Sequence, residues 1–140
     1  MTYVDTSLLV ASYCPEPLSK AAQREIRKTR APMISPFSEL EFCSAIALKT
    51  RTGETDVDSA RKVLVAFRLH LAEGMFRVVP VGAREHAIAC EWISSFATPL
   101  RTLDALHLAA AFSNNLALIT ADKILARSAK HFGVNHRLIS

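Results

Sequence analysis

No stretch of the 140 residues approaches the roughly 20 consecutive apolar residues that a bilayer-spanning helix needs, so no membrane span is expected. The opening MTYVDTSLLV has no basic region before its short apolar run and does not read as a secretory signal. Cysteine is scarce: Cys14, Cys43 and Cys90 lie far apart, odd in number and never as C-x-x-C. That argues against a disulfide or zinc framework and for a protein of the reducing cytoplasm. The H-E-x-x-H, P-loop, G-x-G-x-x-G and G-x-S-x-G patterns are all missing. Zinc proteolysis, the common nucleotide folds and α/β-hydrolase chemistry are thereby removed. His70, His86, His131 and His136 form no metal-ligand spacing. There is no internal repeat, low-complexity tract or linker, and residues 1–140 read as a single domain.

What is present argues for a well-filled interior. Half the residues are hydrophobic and the mean hydropathy is slightly positive, at +0.19. The formal charge of +4 is compatible with a polyanionic partner without singling one out. Along the chain, short β-like runs alternate with helical spacing. Tyr3 and Val4 begin a strand that meets Asp5, and TSLLVASYC reads as a short helix stopped by Pro15. A polar helix over about 18–30, the strand PMIS and a helix PFSELEFCSAIALKT follow, the last broken by Gly53. Asp56 or Asp58 caps the next helix. FRVVPV is a strand that Pro80 makes short or edge-placed, and a helix from about 83 to 96 ends before Pro99. RTLDALHLAAA is a helix for which Thr102 is the natural cap, LALIT a continuous apolar strand, DKILARSAKHF a helix ended by Gly133, and HRLI a last strand. Such alternation predicts an α/β fold with a parallel sheet covered by helices.

In such sheets ligands sit beyond the carboxyl ends of the strands. Asp5 ends the first strand, Asp122 follows two residues after Thr120 at the end of LALIT, Asp104 opens a helix, and Glu39 and Glu41 lie early in the helix after the second strand. Glu16, Glu25, Glu54, Asp56 and Asp58 lie in polar stretches and read as surface charge. Taken singly, Asp5 and Asp122 are explained as helix caps, and Asp104 as an acid favoured by the helix dipole. Together, carboxylates from distant points of the chain meet at one end of the sheet, beside apolar neighbours. They repel unless their pKa values rise or a cation neutralises them. All-oxygen ligation selects Mg²⁺ or Mn²⁺. Arg101, Lys123 and Arg127 stand near the acids, where a phosphate backbone would lie. His107 is expected to be a core residue near Asp104 that fixes its helix, and Leu103, Leu106 and Leu108 to fasten that helix.

Four stretches carry a resemblance that covers nearly the whole chain. YVDTSLLV, ELEFCSAI, RTLDALHLAAA and ITADKILARSAKHFGV resemble, in order and spacing, the four acidic motifs of PIN-domain proteins. The likeness is greater still to the VapC-type toxin ribonucleases of toxin–antitoxin pairs. The resemblance implies a three-layer α/β/α PIN-like domain with a central, mostly parallel sheet. It implies a Mg²⁺-dependent endoribonuclease, with Mn²⁺ able to substitute, that cleaves RNA by metal-activated water at Asp5, Glu41, Asp104 and Asp122. Asp5, Asp104 and Asp122 would ligate metal, and Thr6, Ser7 and Thr120 would orient the carboxylates. Glu41 is chosen over Glu39 because E-F-C-S-A resembles the family's E-x-x-S-A. The resemblance also implies a cognate VapB-like antitoxin and a homodimer. Two other readings remain: a PIN-like module that binds RNA or protein without cutting, and a phosphohydrolase with Asp5 as nucleophile. The second is weakened because Ser7 stands where such enzymes place another Asp.

Overall fold

Short strands that run straight into helix caps set the architecture. A computed structural model describes residues 1–140. Strand β1 (Thr2–Val4) ends at Asp5, the N-cap of α1 (Thr6–Tyr13). After α2 (Ser19–Lys28), strand β2 (Pro32–Ile34) ends at Ser35, which caps α3 (Pro36–Arg51) through a reciprocal bond with Ser38. Asp56 caps α4 (Val57–Ala72) by accepting from the Ser59 amide. Strand β3 (Arg77–Val78), α5 (Ala83–Ser94) and α6 (Thr102–Ser113) lead to β4 (Ala117–Thr120). Asp122 caps α7 (Lys123–His131), and β5 (His136–Leu138) closes the chain. One expected cap is corrected. The N-cap of α6 is Arg101 and Thr102 is already helical, so no side chain satisfies the first amides of this helix.

All strand pairs are parallel, in the order β3-β2-β1-β4-β5. Successive connections move outward from β1 on one side to β3, and then resume on its other side with β4. The switch point therefore lies between the carboxyl ends of β1 and β4, where open α/β sheets bind ligands. The fold is the expected α/β sheet, and it is parallel throughout. Strand residues alternate between two cores. Tyr3, Met33 and Leu118 pack with α5, α6 and α7, while Val4, Ile34 and Ile119 pack with α1 to α4. Buried on both faces, the central strands are apolar apart from Thr2 and Thr120 at their ends. As Pro80 led one to expect, β3 is a two-residue edge strand, and both of its residues are exposed.

Burial explains the run of small residues, Ala109 to Ala111, in helix α6. From Ala105 to Ala111 every residue is buried, so neighbours surround the helix and alanine lets them approach. Leu106 and Leu108 anchor it, but Leu103 is 40% exposed and does not. Glu25 is likewise not surface charge. It is buried on α2 and paired with Arg137 of β5 at 2.6 Å. No helix is long and apolar enough to cross a membrane.

The second core centres on Phe42 of α3 and Phe67 of α4, stacked at 4.2 Å and both fully buried. Phe67→Ala should cost about 3–5 kcal/mol of unfolding free energy, read from urea denaturation. A loss below about 1 kcal/mol would mean that α4 is not held by this core.

Candidate functional site

Asp5 is the most constrained acid. It is 4% exposed, and its Oδ2 accepts from the Ser7 hydroxyl at 2.5 Å, the Thr120 hydroxyl at 2.8 Å and the Ser7 amide at 3.4 Å. Thr120 Oγ1 also accepts from the Asp122 amide, and Ser7 Oγ from the Ala121 amide. These bonds lock the end of β1 to the turn after β4. They load Oδ2 alone. Oδ1 has no hydrogen-bond partner in the protein, and its nearest cation-forming neighbour is His107 Nε2 at 3.8 Å.

Asp122 divides its oxygens in the same way. Oδ1 accepts from the amides of Ile124 and Leu125 at 2.7 and 3.1 Å, the capping bonds of α7, and Oδ2 has no protein partner. Capping and ligation are therefore not alternatives for these two aspartates, because each spends one oxygen on the fold and keeps the other.

The third acid, Asp104, sits in the first turn of α6. Burial raises its pKa first, and the negative charges of Asp5, Asp122 and Glu41 raise it further against the pull of His107. Glu41 goes the other way. Burial opposes its ionisation, but the hydrogen bond and charge of His107, with a bond from Thr6, bring its pKa below the ordinary value. Asp5, Glu41, Asp104 and Asp122 line one cleft of about 330 Å³ together with Thr6, Ser7 and Glu16. Glu39 points elsewhere, 3.5 Å from Arg68 on the outer face of α3.

Beneath the cleft lies a polar chain that sequence reasoning missed. His107, fully buried, reaches Glu41 Oε1 through Nε2 at 2.6 Å and Tyr3 Oη through Nδ1 at 2.6 Å, while Thr6 Oγ1 is 3.2 Å from Nε2. Tyr3 in turn bonds Ser35, the cap of α3. Burial pushes the Tyr3 phenol far up, so it stays protonated. Nε2 donates to the ionised Glu41, and the Nδ1–Tyr3 bond fixes the ring. His107 thus buttresses Glu41 directly, while lying near enough to Asp104 to act on it electrostatically, as the three-residue spacing implied. The only sequence signal was a histidine in a helix otherwise fit for complete burial. Glu16 was missed too. It lines the cleft and pairs with Lys49 at 2.7 Å.

The expected cations are divided. Arg101 lines a groove with Glu41 and Asp104 on one flank, whereas Lys123 and Arg127 line another groove along α7. No three His, Cys, Asp or Glu side chains are grouped tightly enough to enclose an ion unaided. A hard cation does not require that. Mg²⁺ keeps several waters and is held by one or two carboxylates. The unshared oxygens of Asp5 and Asp122, beside an Asp104 destabilised by like charge, form a donor set that fits such an ion.

The PIN domain family model matches residues 2–131 of the chain. No curated protein sequence matches it. Among solved structures it is similar to VapC20 of Mycobacterium tuberculosis, a sarcin–ricin-loop-cleaving toxin, at 20% identity over 91% of this chain and 95% of that one, with a TM-score of 0.71. FitAcB from Neisseria gonorrhoeae is 16% identical over 97% and 96% of the two chains, TM-score 0.71. DNA-bound VapBC from Salmonella typhimurium is 15% identical over the full length of both, TM-score 0.72. At these identities the likeness is one of fold.

The raised pKa of Asp104 has a thermodynamic consequence. A carboxyl raised by folding contributes stability that is complete below the ordinary aspartate range and is lost as the pH rises through its folded pKa. Asp104→Asn removes that loss. In EDTA, its melting temperature should gain on that of the wild type as the pH rises above the ordinary aspartate range toward 7. A constant offset across this range would show that folding does not raise the Asp104 pKa.

Proposed function

The chain belongs to the PIN-domain family, and from that premise we propose that it is a divalent-metal-dependent endoribonuclease, the toxin of a toxin–antitoxin pair. The observation that carries this reading is the cleft itself: four carboxylates from four chain segments, two of them each with one oxygen left unshared. Asp5, Asp104 and Asp122 would hold Mg²⁺, or Mn²⁺ in its place, with Glu41 completing the acidic set. Bound there, the ion supplies positive charge to a phosphodiester and lowers the pKa of a water.

The protein's own groups do the positioning. Ser7 and Thr120 fix the Asp5 carboxylate by holding Oδ2, which aims Oδ1. His107 and Thr6 keep Glu41 ionised, so that it orients a water by accepting its proton in a hydrogen bond. Arg101 on one flank and Lys123 and Arg127 on the other attract the RNA backbone across an otherwise repulsive acidic cleft. For the partner, VapBC and FitAcB among the similar structures support a cognate VapB-like antitoxin. Exposed Leu40 and Leu48 of α3 and Val65 and Leu69 of α4 supply apolar surface for such a contact or for a homodimer.

Cleavage of an RNA panel in Mg²⁺, Mn²⁺ or EDTA tests the reading. Cleavage should require metal and vanish in Asp5→Ala and Asp104→Ala. Thr120→Val should raise the Mg²⁺ needed for half-maximal rate roughly 10- to 100-fold, as loss of a ligand-orienting bond does, and Glu39→Gln should leave it unchanged. Metal-independent cleavage, or full activity in both alanine variants, would defeat the mechanism. Tight RNA binding without cleavage in either metal would instead support a non-catalytic module.

A further inference from the structure

All of the chain's surplus charge lies at its end. Residues 123–140 hold four of the seventeen Lys and Arg residues and none of the thirteen acids, so the formal +4 resides here and the rest of the chain is balanced. Arg137 is neutralised by Glu25 of α2. Lys123, Arg127 and Lys130 are exposed and make no ion pair, so their charges are free to meet a ligand.

Those three lie at i, i+4 and i+7, on one face of α7. The opposite face buries Leu125, Ser128 and Ala129. Together with His136 and Leu138 of β5, the cations line a groove of about 230 Å³. His136 is fixed by donating its Nδ1 proton to the Val134 carbonyl at 2.9 Å. Helix stability does not account for the pattern. Lys130 suits the C-terminal end of the dipole, but Lys123 occupies the first helical position, where the dipole disfavours a cation. That position directly follows Asp122 of the acidic cleft. Seven residues at about 1.5 Å rise put Lys123 and Lys130 about 10 Å apart along the axis, more than one phosphate can bridge.

We propose that the α7–β5 groove is a phosphate-backbone track that carries RNA away from the acidic cleft, with Lys130 and His136 extending it beyond Lys123 and Arg127. The proposal rests on the nuclease reading for the identity of its polyanion, and on the unpaired cation row for its place. Arg101, across the cleft on the flank of Glu41 and Asp104, receives the other side of the strand. The acids then lie mid-path, with cations at both exits.

Fluorescence polarisation of a labelled 16-nucleotide single-stranded RNA, in EDTA over a range of KCl, tests the track apart from any cleavage. Arg127→Gln/Lys130→Gln should bind at least tenfold more weakly at low salt. The slope of log affinity against log salt should shrink by roughly 1.4, two contacts at about 0.7 each. The charge-matched Arg61→Gln/Lys62→Gln, on the exposed face of α4, should bind as the wild type does, and Arg127→Lys/Lys130→Arg should retain both affinity and slope. Unchanged binding by the glutamine pair would overturn the track and leave the groove to another partner. Equal losses in both glutamine pairs would also overturn it, by reducing the effect to net charge. A wild type that binds and fails to cut when metal is supplied would sink the nuclease reading and leave the track standing.

Discussion

A carboxylate buried at the centre of a parallel sheet is the constraint on which the rest of the molecule depends. Asp5 ends the central strand, starts the first helix and is nearly sealed from solvent, so its charge must be met by donors from the protein. Ser7 comes from the helix it caps and Thr120 from the end of the neighbouring strand, and both serve the same oxygen. The same hydroxyls also bind the backbone of the turn after β4, which places Asp122. Satisfying one buried acid thus aligns a second, and leaves on each an oxygen that the fold does not use.

A second layer holds Glu41 and reaches deep into the protein. His107 joins Glu41 to Tyr3 and, through it, to Ser35 at the start of the helix that carries Glu41. The consequence is a cleft with graded acidity. Glu41 is held ionised by its buttress, whereas Asp104 meets desolvation and the charges of its fellow acids. Added positive charge relieves Asp104 most, which is the property expected of a cation ligand rather than a structural acid.

Some of this was legible in the sequence because local rules and function coincide. Asp5 and Asp122 stand where strands stop and helices need caps, so the positions of two acids followed from the order of elements. Glu41 against Glu39 was different. Helix α3 buries Ser38, Phe42 and Ile46 along one side that neither glutamate shares, so apolar spacing gave no preference. The choice of Glu41 rests on the E-F-C-S-A resemblance, and in three dimensions His107 approaches Glu41. The Tyr3–His107 bond spans 104 residues and has no local trace. Glu16 and Glu25 looked like surface charge for the same reason, their partners Lys49 and Arg137 being supplied by other elements. Thr102 failed as a cap because it is already the first helical residue, which leaves the N-cap position to Arg101.

Direct titration of the RNA-free protein with Mn²⁺, followed by the loss of the free-ion paramagnetic resonance signal, tests the central claim that the carboxylates act as one cation site. The account predicts saturable binding by the wild type and by Glu39→Gln, with strong weakening in both Asp5→Asn and Asp104→Asn. Equal Mn²⁺ affinity in the wild type and both asparagine variants would contradict it.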